Sequence, residues 1–155
     1  MKILLTGAGG QLGQALLDAK PEGVELISTT RQELNLADAE ACRSAVQQHQ
    51  PDWVLNAGAY TAVDKAESEP ELAHAVNGGA PEAFAQELKR QGGRLLQVST
   101  DFVFNGTQGT PYQPEQTRDP LGVYGASKAA GEAAIQSVFG AGGRGLILRT
   151  SWVIG

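Results

Sequence analysis

The chain has 155 residues, of which 41% are hydrophobic, enough to build one domain around one packed core. Its 12 basic and 17 acidic residues give a net charge of −5, and the scattered basic residues argue against a nucleic-acid or membrane-surface partner. The single cysteine, Cys42, excludes an internal disulfide and favours a reducing, cytoplasmic location, and its separation from both histidines predicts no metal site.

The predicted elements alternate between short apolar runs and helix-length stretches. In chain order they are strand 2–6, helix 11–19, strand 24–28, helix 37–50, strand 53–56, helix 68–91, strand 94–99, a long loop over 100–122, helix 123–139 and strand 145–150. Gly78, Gly79 and Pro81 are expected to break the third helix. The alternation predicts an α/β fold, a Rossmann-type doubly wound parallel sheet with helices on both faces.

Three glycines follow the first predicted strand and open the first helix. Gly7, Gly10 and Gly13 have the spacing Gly-x-x-Gly-x-x-Gly. Glycine permits a tight turn and a close approach to a pyrophosphate, while the helix N-terminus offers free N–H groups and a positive dipole end. The motif predicts a dinucleotide site. The alternative is an ordinary strand-to-helix turn in a chain with 20 glycines.

The end of the second strand contacts the adenosine ribose of the cofactor in folds of this kind. An acidic residue there binds the 2′-hydroxyl of NAD, whereas an arginine favours the 2′-phosphate of NADP. This segment carries Arg31 and has no acidic residue before Glu33. It therefore favours NADPH, with NADH left open, and the alternative is that Arg31 is a solvated loop cation. Asn35 and Leu36, slightly further on, are candidates for contact with the adenine.

Tyr124 and Lys128 lie four residues apart, so a helix projects both from one face. A nearby ammonium favours the phenolate, which predicts a lowered tyrosine pKa and a side chain able to protonate a carbonyl oxygen as hydride reaches the carbon. Thr100 follows a strand at the carboxyl edge of the sheet and can hydrogen-bond the same carbonyl. Its alternative role is to cap a turn. These three are the predicted catalytic residues.

Several segments together resemble a known enzyme family. They are Thr-Gly-Ala-Gly-Gly-Gln-Leu-Gly at 6–13, Asn-Ala-Gly-Ala-Tyr-Thr at 56–61, Ala-Val-Asp-Lys-Ala-Glu at 62–67, Ser-Thr-Asp-Phe-Val-Phe-Asn-Gly at 99–106, Val-Tyr-Gly-Ala-Ser-Lys at 123–128 and Arg-Thr-Ser-Trp-Val at 149–153. The whole chain resembles the extended short-chain dehydrogenases/reductases, and more narrowly their reductases of 4-keto nucleotide-sugars. The resemblance implies NAD(P)H-dependent reduction of dTDP-4-dehydro-L-rhamnose to dTDP-L-rhamnose, for rhamnose-containing polysaccharides.

The same resemblance implies a role for each matching residue. On the cofactor side these are Gly10, Gln11 and Leu12 at the pyrophosphate, Asn35 and Leu36 at the adenine, and Ala59, Tyr60 and Thr61 along the cofactor channel, with Asn77 matching a family asparagine. On the substrate side, Thr100, Asp101, Tyr124 and Trp152 border the sugar. Tyr124 is then the proton donor, and Lys128 holds the nicotinamide ribose.

Four departures from the family pattern limit this transfer. Phe102 replaces a common tyrosine near the sugar, and Asn35 replaces a common aspartate at the adenine. Ala15 stands where some relatives carry a glutamate of a metal-bridged dimer, which argues against that assembly and leaves a homodimer of another kind open. Family members also continue into a C-terminal substrate domain. Residues 1–155 are therefore expected to form the dinucleotide-binding domain with the catalytic residues, without that second domain.

Three other functions remain as alternatives. A dehydratase of the same superfamily needs an Asp-Glu pair after the threonine, whereas Asp101 is followed by Phe102. An epimerase is a further alternative, although its sequence at this strand usually differs. A non-catalytic, cofactor-binding regulatory module is the third, and retention of Thr100, Tyr124 and Lys128 argues against it. For these 155 residues alone we expect NADPH binding with little or no turnover.

Overall fold

The computed structural model describes residues 1–154, which contain one five-stranded parallel sheet. Its strands are β1 (Lys2–Thr6), β2 (Glu25–Thr29), β3 (Trp53–Asn56), β4 (Arg94–Thr100) and β5 (Gly145–Thr150). They lie in the order β2-β1-β3-β4-β5, and every neighbouring pair is parallel. From β1 the next strand, β2, is added on one side of the sheet, whereas β3, β4 and β5 are added on the other side. Doubly wound folds bind ligands at this change, between β1 and β3.

Six α-helices connect the strands, together with one π-helical turn and one 3₁₀ turn. The helices are α1 (Gln11–Asp18), α2 (Ala39–His49), α3 (Val63–Ala66), α4 (Pro70–His74), α5 (Ala80–Gln91) and α6 (Val123–Phe139); the π turn is Ala75–Gly79 and the 3₁₀ turn is Asp101–Val103. Asp38 caps α2, since its carboxylate accepts the N–H groups of Glu40 and Ala41 at 3.0 Å.

The expected break near Gly78, Gly79 and Pro81 is wrong, because the chain stays helical through a widened π turn. Pro81 has no N–H to donate to the carbonyl of Asn77, and the wider turn accommodates that loss without ending the helix. The turn brings the Asn77 carbonyl against α6 at Gly131, where a Cβ atom would overlap it. The π turn therefore shapes the contact between this helical segment and α6.

The helices cover both faces of the sheet unequally. Because parallel crossovers are right-handed, α1 lies on one face, while α2, α5 and α6 lie on the other. The second face holds the main core, whose fully buried members include Leu4, Phe84 and Leu95. On the α1 face, Leu146 and Leu148 of β5 remain 45% and 54% exposed. The predicted doubly wound parallel sheet with helices on both faces is thus confirmed.

Within residues 1–154, none of the helices combines the length and the apolar composition needed to cross a bilayer.

Candidate active site

The glycine loop between β1 and α1 has the backbone geometry that a bound pyrophosphate requires. Gly7 has a φ of +70°, and a Cβ atom there would overlap the backbone of Gly58 in the loop after β3. A Cβ atom on Gly13 would overlap the Gly7 carbonyl, so α1 packs directly on the turn. Gly10 precedes α1 and provides no side-chain cap, and the positive end of the helix dipole at this position favours an anion.

A cleft of about 690 Å³ opens beside this loop at the carboxyl edge of β1, β2 and β3. Its walls include the predicted cofactor residues Gly7, Gly10, Gln11, Leu12, Arg31, Asn35, Leu36, Ala59, Tyr60 and Thr61. They also include Gly9, Thr30, Gln32, Leu34, Ala57, Gly58, Leu72 and Val76. The volume suits a large ligand, since small-molecule sites usually measure about 300–1,000 Å³. The loops after the first three strands thus converge on one site.

The end of the cleft that follows β2 carries a positive and a negative group. Arg31 is exposed at the cleft wall after β2. The Glu33 carboxylate accepts hydrogen bonds from the Thr30 N–H at 2.7 Å and the Thr30 hydroxyl at 2.8 Å. These two bonds hold the pKa of Glu33 below its usual value. The turn is therefore shaped by Glu33, while Arg31 places a positive charge at the wall of the cleft.

Asn77 joins the middle of the cleft to the helix that carries Tyr124 and Lys128. Its amide oxygen accepts the Tyr60 N–H at 2.9 Å, and its amide nitrogen donates to the Tyr60 carbonyl and the Ser127 hydroxyl, both at 3.0 Å. The side chain is only 2% exposed. Asn77 does not itself line the cleft. It orients the segment that does.

Tyr124, at the start of α6, meets the end of β4. A Cβ atom on Gly125 would overlap the Phe102 carbonyl, so glycine lets α6 approach the 3₁₀ turn closely. Burial raises the pKa of Tyr124 above its usual value, a hydrogen bond with Thr100 acts against that rise, and the Asp101 charge adds to it. The sequence-based expectation of a lowered tyrosine pKa is therefore wrong for this arrangement: burial and Asp101 outweigh the stabilising contacts.

Thr100 takes the capping role considered from the sequence and also lies beside Tyr124. Its hydroxyl oxygen accepts the Phe102 N–H at 3.2 Å and so caps the 3₁₀ turn, while the hydroxyl donates to Asp101 at 3.2 Å. The same hydroxyl lies close enough to the Tyr124 phenol to lower its pKa. Capping and contact with Tyr124 are thus compatible, because the turn itself places Thr100 opposite the helix.

Lys128 lies one turn after Tyr124 and is held against β4. Its side-chain ammonium donates to the Val98 carbonyl at 2.6 Å, and the residue is only 5% exposed. Burial lowers the pKa of Lys128 to about 8, with the Glu132 charge acting in the opposite direction. With a pKa of about 8 the side chain is mostly an ammonium at neutral pH and loses its proton in mildly alkaline solution.

The N-terminus of α6 is capped from a distant part of the chain. Gly122 precedes the helix and has no side chain, so the Glu67 carboxylate accepts the Val123 N–H at 2.8 Å instead. A Cβ atom on Gly122 would approach that carboxylate to 2.8 Å. Glu67 belongs to the segment 62–67 that carried part of the family resemblance. Its role is to anchor the helix on which Tyr124 and Lys128 lie.

The side of Tyr124 that faces away from Thr100 is open to solvent. Asp101 is exposed, and Trp152 is 89% exposed just after β5. Phe102 is half exposed and packs edge-to-face on Tyr124, with ring centroids 5.5 Å apart. Tyr124 thus stands between a buried side, formed by Thr100, and an open side on which a ligand can lie.

Comparison with known proteins places the chain in a family. The family model described as the RmlD substrate binding domain matches residues 1–155. The chain belongs to the RmlD family. It is 46% identical over 155 residues to the dTDP-4-dehydrorhamnose reductase of Streptomyces griseus, a match covering 98% of this chain and 50% of that protein. It is 41% identical to the spore coat polysaccharide biosynthesis protein SpsK of Bacillus subtilis strain 168, covering 99% and 54% respectively.

Solved structures of RmlD relatives share the fold over the whole chain. The crystal structure of a dTDP-4-dehydrorhamnose reductase from Clostridium acetobutylicum superposes with a TM-score of 0.93 at 35% identity, covering 100% of this chain and 55% of that one. The corresponding enzyme of Bacillus anthracis, solved in complex with NADP, gives 0.92 at 32% identity, covering 99% and 54%. The chain spans about half the length of the relatives it matches.

The structure separates the predicted site residues of this RmlD chain into three groups. Ten cofactor candidates line the cleft, as described above. Gly13 and Asn77 shape it from behind. Thr100, Tyr124 and Lys128 cluster where β4 ends and α6 begins, and Asp101 lies beside them on the 3₁₀ turn. Among residues 1–154, no group of three or more His, Cys, Asp or Glu is placed to hold a metal ion.

Several contributors to the site were missed by sequence reasoning. Glu67, Gly125 and Gly131 position α6, and Glu132 lies behind Lys128. The two glycines inside a predicted helix were the available signal, since glycine there costs stability unless close packing requires it. No comparable local signal marks Glu67 or Glu132, whose partners are distant in the chain.

Proposed function

We propose that the protein carrying this chain is an NADPH-dependent reductase of a 4-keto nucleotide-sugar, converting dTDP-4-dehydro-L-rhamnose into dTDP-L-rhamnose. The observation that carries the proposal is the position of Thr100, Tyr124 and Lys128 at the sheet edge beside a dinucleotide-sized cleft. Relatives that are 39–46% identical to the chain are named for this activity, which supports the proposal. A soluble nucleotide-sugar partner and a cytoplasmic location follow from that activity.

The residues of the cleft fit a dinucleotide. The uncapped start of α1 and the crowded glycine loop suit a pyrophosphate, and Arg31 suits the 2′-phosphate of NADPH. The related Bacillus anthracis enzyme was solved with NADP, which supports this preference. When bound, NADPH supplies the hydride for the substrate carbonyl carbon.

The chain's own residues then handle the proton and the orientation of the carbonyl. The raised pKa of Tyr124 keeps its phenol protonated at neutral pH, as a proton donor to the carbonyl oxygen must be. Thr100 holds the phenol and orients it. Lys128, whose pKa is about 8, stays mostly charged at neutral pH and stabilises the phenolate that remains after the proton has moved.

We further propose that residues 1–155 form the cofactor-binding domain and that the sugar pocket is completed by sequence outside this chain. Two observations support this division. The chain spans about half of each relative, and its substrate side is open at Trp152 and Phe102. Hydride transfer requires a positioned sugar, so the 155-residue chain should bind NADPH with little or no turnover.

The first test is calorimetric titration of the chain with NADPH and NADH. NADPH should bind more tightly, and Arg31→Ala should weaken NADPH binding while leaving NADH binding unchanged. Arg94→Ala, at the opposite end of the sheet, is the charge-matched control and should change neither affinity. The absence of binding by either dinucleotide would contradict the proposed cofactor site.

The second test concerns the reaction in the full-length protein. Reduction of dTDP-4-dehydro-L-rhamnose is followed by NADPH oxidation in the wild type and in Tyr124→Phe. Loss of the phenol should lower turnover by about 100-fold or more, the usual contribution of a positioned general acid. Equal rates in the two proteins would remove Tyr124 from the role of proton donor. Rapid turnover by the 155-residue chain alone would contradict the proposed division of the site.

A further inference from the structure

A fully buried carboxylate lies behind the proposed catalytic residues and has not yet been given a function. Glu132 of α6 is 0% exposed. Its carboxylate accepts hydrogen bonds from the Ser99 hydroxyl at 2.5 Å, from Arg149 at 2.6 and 2.9 Å, and from Arg118 at 3.1 Å. A buried carboxylate is costly unless it is paired and hydrogen-bonded, and this one is saturated.

These contacts join four segments of the chain, one of which is α6 itself. Glu132 lies on α6, Ser99 on β4, Arg149 on β5, and Arg118 in the loop between the 3₁₀ turn and α6. Arg149 also donates to the Pro114 carbonyl at 2.9 Å, within the same loop. The carboxylate is therefore the point at which the helix, two strands and the long loop are joined.

Lys128 and Glu132 contact consecutive residues of the same strand. The Lys128 ammonium donates to the Val98 carbonyl, and the Glu132 carboxylate accepts from the Ser99 hydroxyl. The two side chains are one helical turn apart on α6 and therefore share a face. The helix is thus attached to β4 immediately before Thr100, which is where the proposed chemistry takes place.

We propose that Glu132, held by Arg149 and Arg118, is a positioning residue that keeps Lys128 charged and fixed against β4. The proposal rests on the proposed function, because it assigns Glu132 a task in that reaction. It does not make Glu132 a catalytic residue, since the carboxylate is saturated by its own partners and acts through Lys128.

Burial and the Glu132 charge shift the pKa of Lys128 in opposite directions. Burial lowers the pKa of Lys128 to about 8, and Glu132 raises it. The other charged or titratable groups around the cluster are Arg149 on β5, Arg118 in the loop, Glu115 in the same loop, whose charge acts on Arg149, and Tyr124 on α6, on which the Asp101 charge acts. Removing the Glu132 charge would remove the charge that raises the pKa of Lys128 and would leave both arginines without their carboxylate partner. The pKa of Lys128 should then fall further. Structural loosening would instead hydrate Lys128 and raise its pKa towards the ordinary lysine value.

The test measures the Lys128 pKa directly in the 155-residue chain, by NMR titration of the side-chain Cε signal in ¹³C-lysine-labelled protein, assigned with Lys128→Arg. Glu132→Gln should lower the pKa by about one unit or more, the size expected for losing a nearby opposite charge. Glu132→Asp, which keeps the charge, should restore it most of the way. A raised pKa in Glu132→Gln, or an unchanged one, would overturn the proposal.

Glu87→Gln is the matched control. Glu87 is also buried, at 6% exposure, and is bound to Arg90 and Gln47 on the side of α5 that faces α2. Removing its charge should leave the Lys128 pKa unchanged. An equal fall in this variant would show that any buried glutamate has the same effect, which contradicts a specific role for Glu132.

A second pair of variants covers the case in which Glu132→Gln does not fold. Arg118 is partly exposed, so its replacement is tolerated more easily. Arg118→Gln leaves the Glu132 charge less neutralised and should raise the Lys128 pKa, whereas Arg118→Lys should not. Equal shifts in both variants, or none in either, would overturn the proposal. These titrations need no cofactor, so a failure of NADPH binding would refute the proposed function separately.

Discussion

Replacing Asn77 by alanine should destabilise the protein through the loss of three buried hydrogen bonds. The amide of Asn77 binds the N–H and the carbonyl of Tyr60 and the hydroxyl of Ser127, at 2.9–3.0 Å. Alanine can make none of these bonds. Because the side chain is only 2% exposed, water has little access to the groups left behind.

The expected loss of stability follows from the number of hydrogen bonds removed. A hydrogen bond of this kind contributes about 1 kcal/mol net to stability, so three of them give about 3 kcal/mol. That is a large part of the roughly 5–15 kcal/mol by which domains are usually stable. NADPH affinity should fall as well, because Tyr60 and its neighbours line the cleft and depend on Asn77 for their position.

The measurement is urea unfolding of wild type and Asn77→Ala, followed by tryptophan fluorescence, with the slope of the transition checked for equality. Asn105→Ala is the control. Asn105 also makes several hydrogen bonds, to Asp119, Thr107 and Tyr112, but in a loop open to water. Its loss should cost well under 1 kcal/mol, since water replaces the partners. A cost for Asn77→Ala no larger than that of the control would refute the reasoning.

Three further predictions concern other contacts of the fold. Gly131→Ala should destabilise by about 1–3 kcal/mol, because its Cβ atom would overlap a carbonyl of the π turn; Gly109→Ala, which meets no atom within 4 Å, should be neutral in the same urea assay. Glu67→Ala removes the cap on the Val123 N–H and should lower the free energy of unfolding by about 1 kcal/mol in the same urea assay. No change would mean that water caps α6 equally well. Cys42 is fully buried and its thiol pKa is raised to about 12, so at pH 8 a thiol reagent should label it only as fast as the protein unfolds; faster labelling would contradict that burial.

The chain's own sequence determined those features that depend on local pattern. The strands at Lys2–Thr6, Trp53–Asn56 and Gly145–Thr150 and the helix at Val123–Phe139 begin and end where the pattern predicts. The glycine loop was also predictable from its spacing, because Gly10 and Gly13 both pack on the nearby Gly7 carbonyl, although the contact of Gly7 with Gly58 is long-range. Alternation of apolar runs and amphipathic stretches is sufficient to predict a parallel sheet.

Only the tertiary structure decided the features that depend on distant partners. Glu67 reaches Val123 across 56 positions, and Glu132 meets Arg149 across 17. The pKa of Tyr124 is raised and not lowered because burial and the Asp101 charge outweigh the effect of Thr100. Periodicity shows which face of an element is apolar. It does not show which polar groups will be buried together, and that shared environment determines their pKa values.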